Sequence, residues 1–201
     1  FLDLVAIATV TDVMPLLGEN RTLEKYGLIV LERTKHPGMK ALIELTRANE
    51  INTETIGFRI GPRLNAAGRI SSARLAFEAV VAQDPQVALE RAQRLESLNR
   101  ERQLISRQAY REGAAMVNDM DEMPHVIVVH ADHWNPGIVG LVAGNLVRDF
   151  GVPAFAFTKV GEHNGGSVPS IGELHFVEAM NSCGDIFITH GGHRETCALT
   201  T

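Results

Sequence analysis

The order of apolar and polar residues predicts a helical first half. Residues 2–17 are apolar with an ambiguous period, so they fit either a helix or a strand. Asn20 is a suitable N-cap for a helix whose apolar positions continue to Leu31. The segment 36–38, with Pro and Gly, ends that helix, and a further short helix is predicted up to Leu45.

A long helix is predicted from Pro85 to about Asn118. Asp84 followed by Pro85 is a strong helix start, and Gly113 is the one residue that weakens the pattern before the acidic segment 119–122. At 1.5 Å per residue this helix would be on the order of 50 Å long. A helix of that length with charges on most of its faces is typical of a connection between two lobes.

The last third has a different pattern, in which short apolar runs alternate with helical periods. Strands are predicted at residues 126–129, 153–157, 167–171 and 186–188, helices at 135–150 and 174–181, and a glycine-rich loop at 161–166. This alternation indicates an α/β fold with a small βαβ-type sheet.

Composition excludes several classes of protein. The 201 residues are 45% hydrophobic, 21% charged and 5% aromatic, with a net charge of −5. These values argue against bulk disorder, a wholly basic nucleic-acid coat and binding by many stacked rings. No apolar run approaches the ~18 residues of a membrane span, no secretory signal is visible, and the two cysteines are too few for a disulfide framework. We therefore expect a cytoplasmic protein that does not contact membranes. The apolar segment at 1–8 leads us to expect a piece of a longer chain.

The sustained basic stretch of the sequence lies at residues 56–75. Its arginines are Arg59, Arg63, Arg69 and Arg74, and no acid occurs between Ile56 and Phe77. The segment 61–69, Gly-Pro-Arg-Leu-Asn-Ala-Ala-Gly-Arg, joins two arginines to glycines that let the backbone approach an anion. Two interpretations remain open from the residues alone: a phosphate-binding segment, or a tight turn with solvated arginines.

Other polar segments give weaker indications. Gly191–His193 follows a predicted strand and fits either a nucleotide contact or a plain turn. His130, Asp132 and His133 fit a metal site or solvated side chains at a strand end. The helix start at 135–137 is a potential phosphate site. Asp12 is a lone carboxylate at the end of an apolar segment, where it is either a metal ligand or a capping residue.

Several of these segments together resemble the RecJ family of single-stranded-DNA-specific exonucleases, in the DHH phosphoesterase superfamily. The segment 3–16 resembles the last metal-binding motif of the DHH domain, and 57–69 resembles the most specific motif of the family. The segment 98–102 matches the family's connecting helix, while 134–140 and 191–193 resemble the two marks of the DHH-associated domain. The resemblance implies the C-terminal part of a DHH domain at 1–84, a connecting helix at 85–122 and a DHH-associated domain at 123–201.

The resemblance also implies a chemistry and roles for individual residues. The family hydrolyses single strands 5′ to 3′ with two divalent cations, Mn²⁺ or Mg²⁺, and serves DNA recombination and repair. Asp12 would be a ligand of those metals. The residues that would contact single-stranded DNA are Arg63, Asn65, Arg69, Asn135, Gly137, Ser167, Gly192 and His193. Single-strand-binding and helicase proteins are candidate partners.

The sequence departs from the family pattern at several positions. The remaining metal ligands of the family would lie upstream, so this chain alone is not expected to cleave DNA. Pro169 stands where the family has an arginine, Asn135 stands where it has a histidine after Trp134, and Ala198 stands near a family glycine. Two alternatives therefore stay open: a non-catalytic relative that binds single strands or proteins, and a DHH oligoribonuclease or nucleotide phosphatase.

Overall fold

The structure is a computed structural model that describes residues 1–169, 176–183, 186–193 and 196–201, without the side chains of Phe176, His193 and Thr196. The chain forms two compact units, Phe1–Glu101 and Arg102–Thr201. The division falls inside one long helix. The domain boundaries predicted at residues 84 and 122 rest on the order of helices and strands in the sequence, and they stay a prediction.

The first unit is helical throughout its regular elements. Its helices are α1 (Leu2–Thr11), α2 (Gly18–Glu32), α3 (Pro37–Thr46), α4 (Thr53–Thr55), a π-helix (Ile56–Ile60), α5 (Gly61–Ile70), α6 (Ala73–Val81) and the first part of α7 (Pro85–Asn118). The ambiguous segment 2–17 is thus helical up to Thr11. Its buried core includes Leu31, Met39, Leu42, Ile56, Ile60 and Leu95.

The expected N-cap of α2 was wrong. Leu17 in extended conformation occupies the cap position, and Asn20 lies within the first turn. The Asn20 side-chain amide donates to the carbonyl oxygen of Pro15 at 3.1 Å, so it ties the helix to the preceding loop. The start of α7 is confirmed, because Asp84 Oδ1 accepts from the backbone N–H groups of Gln86 and Val87, both at 2.9 Å.

The basic segment 56–75 is mostly helical, and of the two interpretations of residues 61–69 the tight turn is therefore wrong. The π-helix continues directly into α5, and the helical path includes both glycines of the segment 61–69. A Cβ atom on Gly61 would lie 2.6 Å from Thr11 Cγ2 of α1. The glycine therefore permits close helix packing rather than a turn.

The second unit contains the rest of α7 and a mixed β-sheet with helices, which confirms the α/β fold class. Its described strands are β1 (Ile127–His130), β2 (Ala154–Val160), β3 (His163–Pro169), β4 (Thr189–His193) and β5 (Thr196–Thr200), in the order β1-β2-β3-β5-β4. β1 and β2 are parallel, and the other neighbouring pairs are antiparallel. A 3₁₀ turn (Pro136–Ile138) and α8 (Val139–Phe150) connect the parallel pair, as the βαβ pattern predicted.

Three predicted boundaries in this unit needed correction. The glycine-rich loop is reduced to a turn at 161–162, where Gly161 has φ +63°, because β3 already begins at His163. The strand predicted at 186–188 was wrong, since β4 begins at Thr189. The predicted helix at 174–181 corresponds to α9 (Phe176–Ser182). Residues 170–171 and 174–175 of these predictions lie outside the described residues.

No helix among the described residues is long and apolar enough to cross a membrane.

Candidate nucleic-acid and metal-binding residues

The arginines of the basic segment have acidic or carbonyl partners from other parts of the first unit. Arg63 Nε lies 2.6 Å from Glu96 Oε2 on α7, and the two side chains are 15% and 19% exposed. Arg59 donates to the carbonyl oxygen of Thr46 at 3.2 Å. Glu96 therefore offsets part of the positive charge that the sequence of this segment indicates.

Arg74 is neutralised in the same way at the surface. Its Nε lies 2.9 Å from Glu78 Oε1, and Arg91 approaches the other oxygen of that carboxylate at 3.1 Å. The bond from Arg74 and the charges of both arginines hold the pKa of Glu78 below its ordinary value. This cluster is a solvated ion-pair network.

Asn65 and Arg69 form a separate exposed pair of positions on α5. Residues four apart lie on one face of a helix, whereas Arg63 is two residues from Asn65 and lies on another face. Desolvation lowers the pKa of the Arg69 guanidinium, which nevertheless stays charged at neutral pH. Of the three residues of the first unit that were predicted to contact DNA, two thus lie on one face of α5.

Asp12 ends α1 as its exposed C-cap residue. The next residue, Val13, has φ +56° and is 84% exposed. Val13 N–H donates to Val10 and Met14 N–H donates to Thr9, both at 3.1 Å, which is the Schellman arrangement. A β-branched residue in this conformation is strained by roughly 1–2 kcal/mol.

The end of α1 favours a cation beside Asp12. The negative end of the helix dipole lies at the C-terminus, so a carboxylate there is unfavourable unless a positive charge is nearby. A divalent cation would supply that charge. Among the described residues, however, no group of three or more His, Cys, Asp or Glu side chains could hold a metal. Asp12 therefore fits one ligand of a metal site, not a complete set.

The histidine that ends β1 and the one that follows it pair with different carboxylates. His130 Nε2 lies 3.1 Å from Asp132, while His133 Nε2 lies 2.8 Å from Glu112 on α7. The indole N–H of Trp134 donates to the same Glu112 oxygen at 2.7 Å. That bond is the main cause that lowers the pKa of Glu112, with further bonds from neighbouring side chains. The arrangement anchors the loop after β1 onto α7.

Asn135 and Gly137 shape the start of the helical segment that leads into α8. Asn135 Oδ1 accepts from the N–H of Gly137 at 2.8 Å, so the side chain is the N-cap of the 3₁₀ turn. The helix start predicted at this position is confirmed. A phosphate contact by the same residues stays a prediction.

The sheet brings the remaining predicted residues close in register. Across β5, Ala198 pairs with Ser167 on one side and with Gly191 on the other. One residue further along β5, Cys197 pairs with Val168 and Gly192 in the same way. Ser167 on β3 and Gly192 on β4 therefore pair with adjacent residues of β5, which lies between these two strands. The side chain of His193 lies outside the described part of the chain.

Sequence reasoning missed the acids that accompany the basic residues. Glu96 is 33 positions after Arg63 in the numbering, and Glu112 is 21 positions before His133. Both acids lie on α7 among many other charged residues, so no local pattern distinguishes them. Only the packing of each unit selects these two carboxylates.

Comparison with known proteins gives a consistent relationship. No family model matches the chain. The chain is 39% identical over 204 residues to the single-stranded-DNA-specific exonuclease RecJ of Bacillus subtilis, covering 99% of the chain and 26% of that protein. It is 31% identical to RecJ of Escherichia coli over 211 residues, covering 99% of the chain and 37% of that protein.

Solved structures give the same result. The crystal structure of RecJ in complex with Mg²⁺ from Thermus thermophilus matches with a TM-score of 0.90 and 30% identity, covering 100% of the chain and 31% of that structure. A structure of exonuclease RecJ bound to manganese matches with a TM-score of 0.81 and 30% identity, covering 50% of its chain. The chain is therefore similar to RecJ exonucleases over its full length, and it spans between about a quarter and somewhat more than a third of the length of these curated relatives.

Proposed function

We propose that the chain is part of a metal-dependent exonuclease that hydrolyses single-stranded DNA from the 5′ end, in recombination and repair. The observation that carries this proposal is the end-to-end similarity to RecJ, with a TM-score of 0.90. In this proposal residues 1–84 are the C-terminal part of a DHH domain, and residues 123–201 form the DHH-associated domain. Residues 85–122 form the helix that connects the two. The protein would act in the cytoplasm, with single-strand-binding or helicase proteins as partners.

The metals in this proposal are Mn²⁺ or Mg²⁺. When bound, a pair of these cations activates a water molecule and stabilises the charge on the scissile phosphate. Asp12 is the described residue that fits a ligand role, because its carboxylate is exposed at the negative end of α1. The Schellman turn fixes the backbone on which Asp12 is presented. Residues beyond this chain would complete the ligand set.

Residues of both units would hold the strand. Asn65 and Arg69 present an amide and a guanidinium on one face of α5, where they can contact successive phosphates. Arg63 would have to exchange Glu96 for a phosphate oxygen, or else orient α5 through that ion pair. In the second unit, Ser167 and the backbone of Gly192 are near one another in register and would contact the strand together.

The test compares this chain with a version extended upstream in its reading frame. With Mn²⁺ and a labelled single strand, we expect the extended protein to release nucleotides from the 5′ end and the present chain to bind without cleavage. Asp12→Asn in the extended protein should abolish cleavage and retain strand binding. Asp121→Asn, at an exposed acid after α7, is the matched control. Robust cleavage by the present chain, or by the Asp12→Asn variant, would contradict the assignment.

A second candidate is a non-catalytic relative that binds single strands or proteins. Pro169 favours it, because this residue pairs with Thr196 at the end of β3 and cannot supply the fork of an arginine. An extended protein that binds strands but does not cleave them with either cation would support this candidate. Preferential cleavage of very short oligoribonucleotides in competition with long DNA would instead indicate an oligoribonuclease.

A further inference from the structure

The loop after β1, residues 131–137, is held to α7 by one carboxylate. Glu112 Oε2 accepts from the indole N–H of Trp134 at 2.7 Å and lies 2.8 Å from His133 Nε2. Its other oxygen, Oε1, accepts from the side-chain amide of Gln108 at 3.1 Å. Three side chains thus share this carboxylate, and two of them belong to adjacent residues of the loop.

The shared oxygen depends on a particular backbone conformation in the loop. Side chains of consecutive residues point to opposite sides of an extended chain, so His133 and Trp134 converge on one atom because the chain bends. The bend is a turn in which the Trp134 N–H donates to the carbonyl oxygen of Ala131 at 3.2 Å. Glu112 therefore favours the turn conformation of the loop as well as pairing with its side chains.

Trp134 is fixed from two other directions. The residue is 4% exposed, and a Cβ atom on Gly113 would lie 3.4 Å from Cη2 of the indole, so the ring packs against the glycine of α7. Its carbonyl oxygen accepts from the buried hydroxyl of Thr158 on β2 at 2.7 Å. Packing and the strand thus place the residue, and the bond to Glu112 sets the orientation of the ring.

The chain continues from Trp134 directly into two of the predicted strand contacts. Asn135 accepts from the N–H of Gly137 at 2.8 Å, so the backbone that carries both residues begins at the tryptophan. A loop that is already held in its bound conformation binds more tightly, because it loses less conformational entropy on binding. A carboxylate repels phosphate, so direct contact with a strand does not explain Glu112.

We propose that Glu112 is a positioning residue, whose carboxylate keeps the loop 131–137 in the conformation that presents Asn135 to its ligand. The inference rests on the proposed function for the identity of that ligand. The effect of Glu112 on the loop does not depend on that identity. Glutamate suits the role because a carboxylate accepts at both oxygens, whereas an amide has one oxygen that accepts.

The first measurement observes the loop through Trp134, which is the single tryptophan of the sequence. Glu112→Ala removes the partner of the indole N–H, and the fluorescence emission of the unliganded chain should shift to longer wavelength as the ring becomes more exposed. Glu112→Gln keeps an oxygen that can accept from the indole, so its emission should stay close to that of the unaltered chain. Glu101→Ala, at an exposed glutamate of the same helix, is the matched control and should leave the emission unchanged.

The second measurement, strand affinity, separates positioning from charge. The probe is a fluorescein-labelled oligothymidylate of about 12 nucleotides, titrated at a temperature at which every variant is folded. Glu112→Ala should weaken binding about tenfold, whereas Glu112→Gln should bind as tightly as the unaltered chain or more tightly. A purely electrostatic effect would strengthen binding in both variants, because both remove a negative charge. In the protein extended upstream, Glu112→Ala should raise KM and leave kcat unchanged.

Trp134→Phe removes the same hydrogen bond from the other side. Phenylalanine keeps an aromatic ring and lacks the N–H, so this variant should weaken strand binding about as much as Glu112→Ala. Combining the two substitutions should add little to the loss. Fully additive losses would show that the two residues act separately and would contradict the proposal.

The outcomes separate this inference from the proposed function. An unshifted Trp134 emission in Glu112→Ala overturns the positioning role, and the exonuclease proposal stands if the unaltered chain binds the strand. A shifted emission with unchanged strand affinity also overturns it, because the conformation of the loop then has no effect on binding. If neither the unaltered chain nor the extended protein binds a strand, the exonuclease proposal is wrong. In that case a shift in Glu112→Ala that is absent in Glu112→Gln still supports positioning of the loop by Glu112, and an equal shift in both variants overturns it.

Discussion

Arg63 in the first unit and Asn135 in the second unit were both expected to contact a strand, and the structure uses them differently. Arg63 forms a partly buried ion pair with Glu96 at 2.6 Å. Asn135 instead caps a helical turn by accepting from Gly137 at 2.8 Å. The charge of Arg63 is thus offset by a neighbouring acid, whereas Asn135 sets the backbone at the start of a helical turn.

The largest expected effect concerns two glycines that are required for different reasons. A Cβ on Gly38 of the first unit would lie 1.9 Å from the carbonyl oxygen of Ala79, a clash that the backbone must relieve. We expect Gly38→Ala to destabilise the protein by about 3 kcal/mol. Gly151 of the second unit has φ +71° and open space around it, so Gly151→Ala should cost about 1 kcal/mol.

Urea unfolding measures both glycine variants, and hydrogen exchange shows which unit loses protection. Protection should be lost mainly within 1–101 for Gly38→Ala. An equal cost for the two substitutions would show that backbone conformation, rather than space, governs both sites.

The next effect concerns a buried carboxylate without partners. Glu24 is 3% exposed, and neither carboxylate oxygen has a hydrogen-bond partner among the described residues. Burial raises the pKa of Glu24, so the folded state binds a proton more tightly than the unfolded state. Its contribution to stability is therefore largest below the ordinary pKa of a glutamate, and it declines as pH rises through the raised pKa.

Glu24→Gln should stabilise the chain at neutral pH by about 1 kcal/mol, with a smaller gain near pH 4. Urea unfolding at both pH values tests this expectation. A loss of stability at neutral pH would mean that the carboxylate is paired in solution.

Asp3 provides the opposite case in the same unit. Burial raises the pKa of Asp3. Bonds from the Thr34 hydroxyl at 2.7 Å and the Leu4 N–H at 3.0 Å, with the charge of His36, outweigh burial and hold the pKa below its ordinary value. Stability from Asp3 is therefore present above about pH 4 and lost as pH falls through the lowered pKa. Asp3→Asn should flatten the acid limb of a stability-against-pH curve, and an unchanged limb would contradict the assignment.

A smaller effect tests the backbone role of the second unit. Asn135→Ala removes the cap of the 3₁₀ turn and should cost about 1 kcal/mol, while Asn135→Asp should retain most of the stability. Urea unfolding measures the cost. If Asn135→Asp retains stability but weakens strand binding, the residue also contacts a phosphate.

The smallest effect is expected at the exposed end of the basic segment. Arg74 pairs with Glu78, which keeps Arg91 as a second partner at 3.1 Å. Arg74→Ala should leave the melting temperature unchanged within error, because an exposed ion pair contributes little. A clear loss at low salt that disappears at high salt would show that the network stabilises the first unit.

Helix and strand patterns in the sequence were sufficient for the α/β class, for α7 and for the βαβ connection. Two of the boundaries that failed involve glycine. The segment 61–69 resembled a turn because Gly and Pro interrupt helices in isolation, yet Gly61 is helical where α5 packs against Thr11. Likewise, β3 includes Gly166, over which the Phe157 ring lies where a Cβ would be. Local preference yielded to packing in both cases.

The sequence by itself determined where most helices and strands lie, because the spacing of apolar residues and the caps at Asp84 and Asn135 are local properties. It also identified which polar segments carry a family resemblance. Only the tertiary structure decided which charges remain available, since Glu96 and Glu112 reach their partners through packing between distant segments. Electrostatic pairing and burial depend on distances in space, and no spacing along the chain records them.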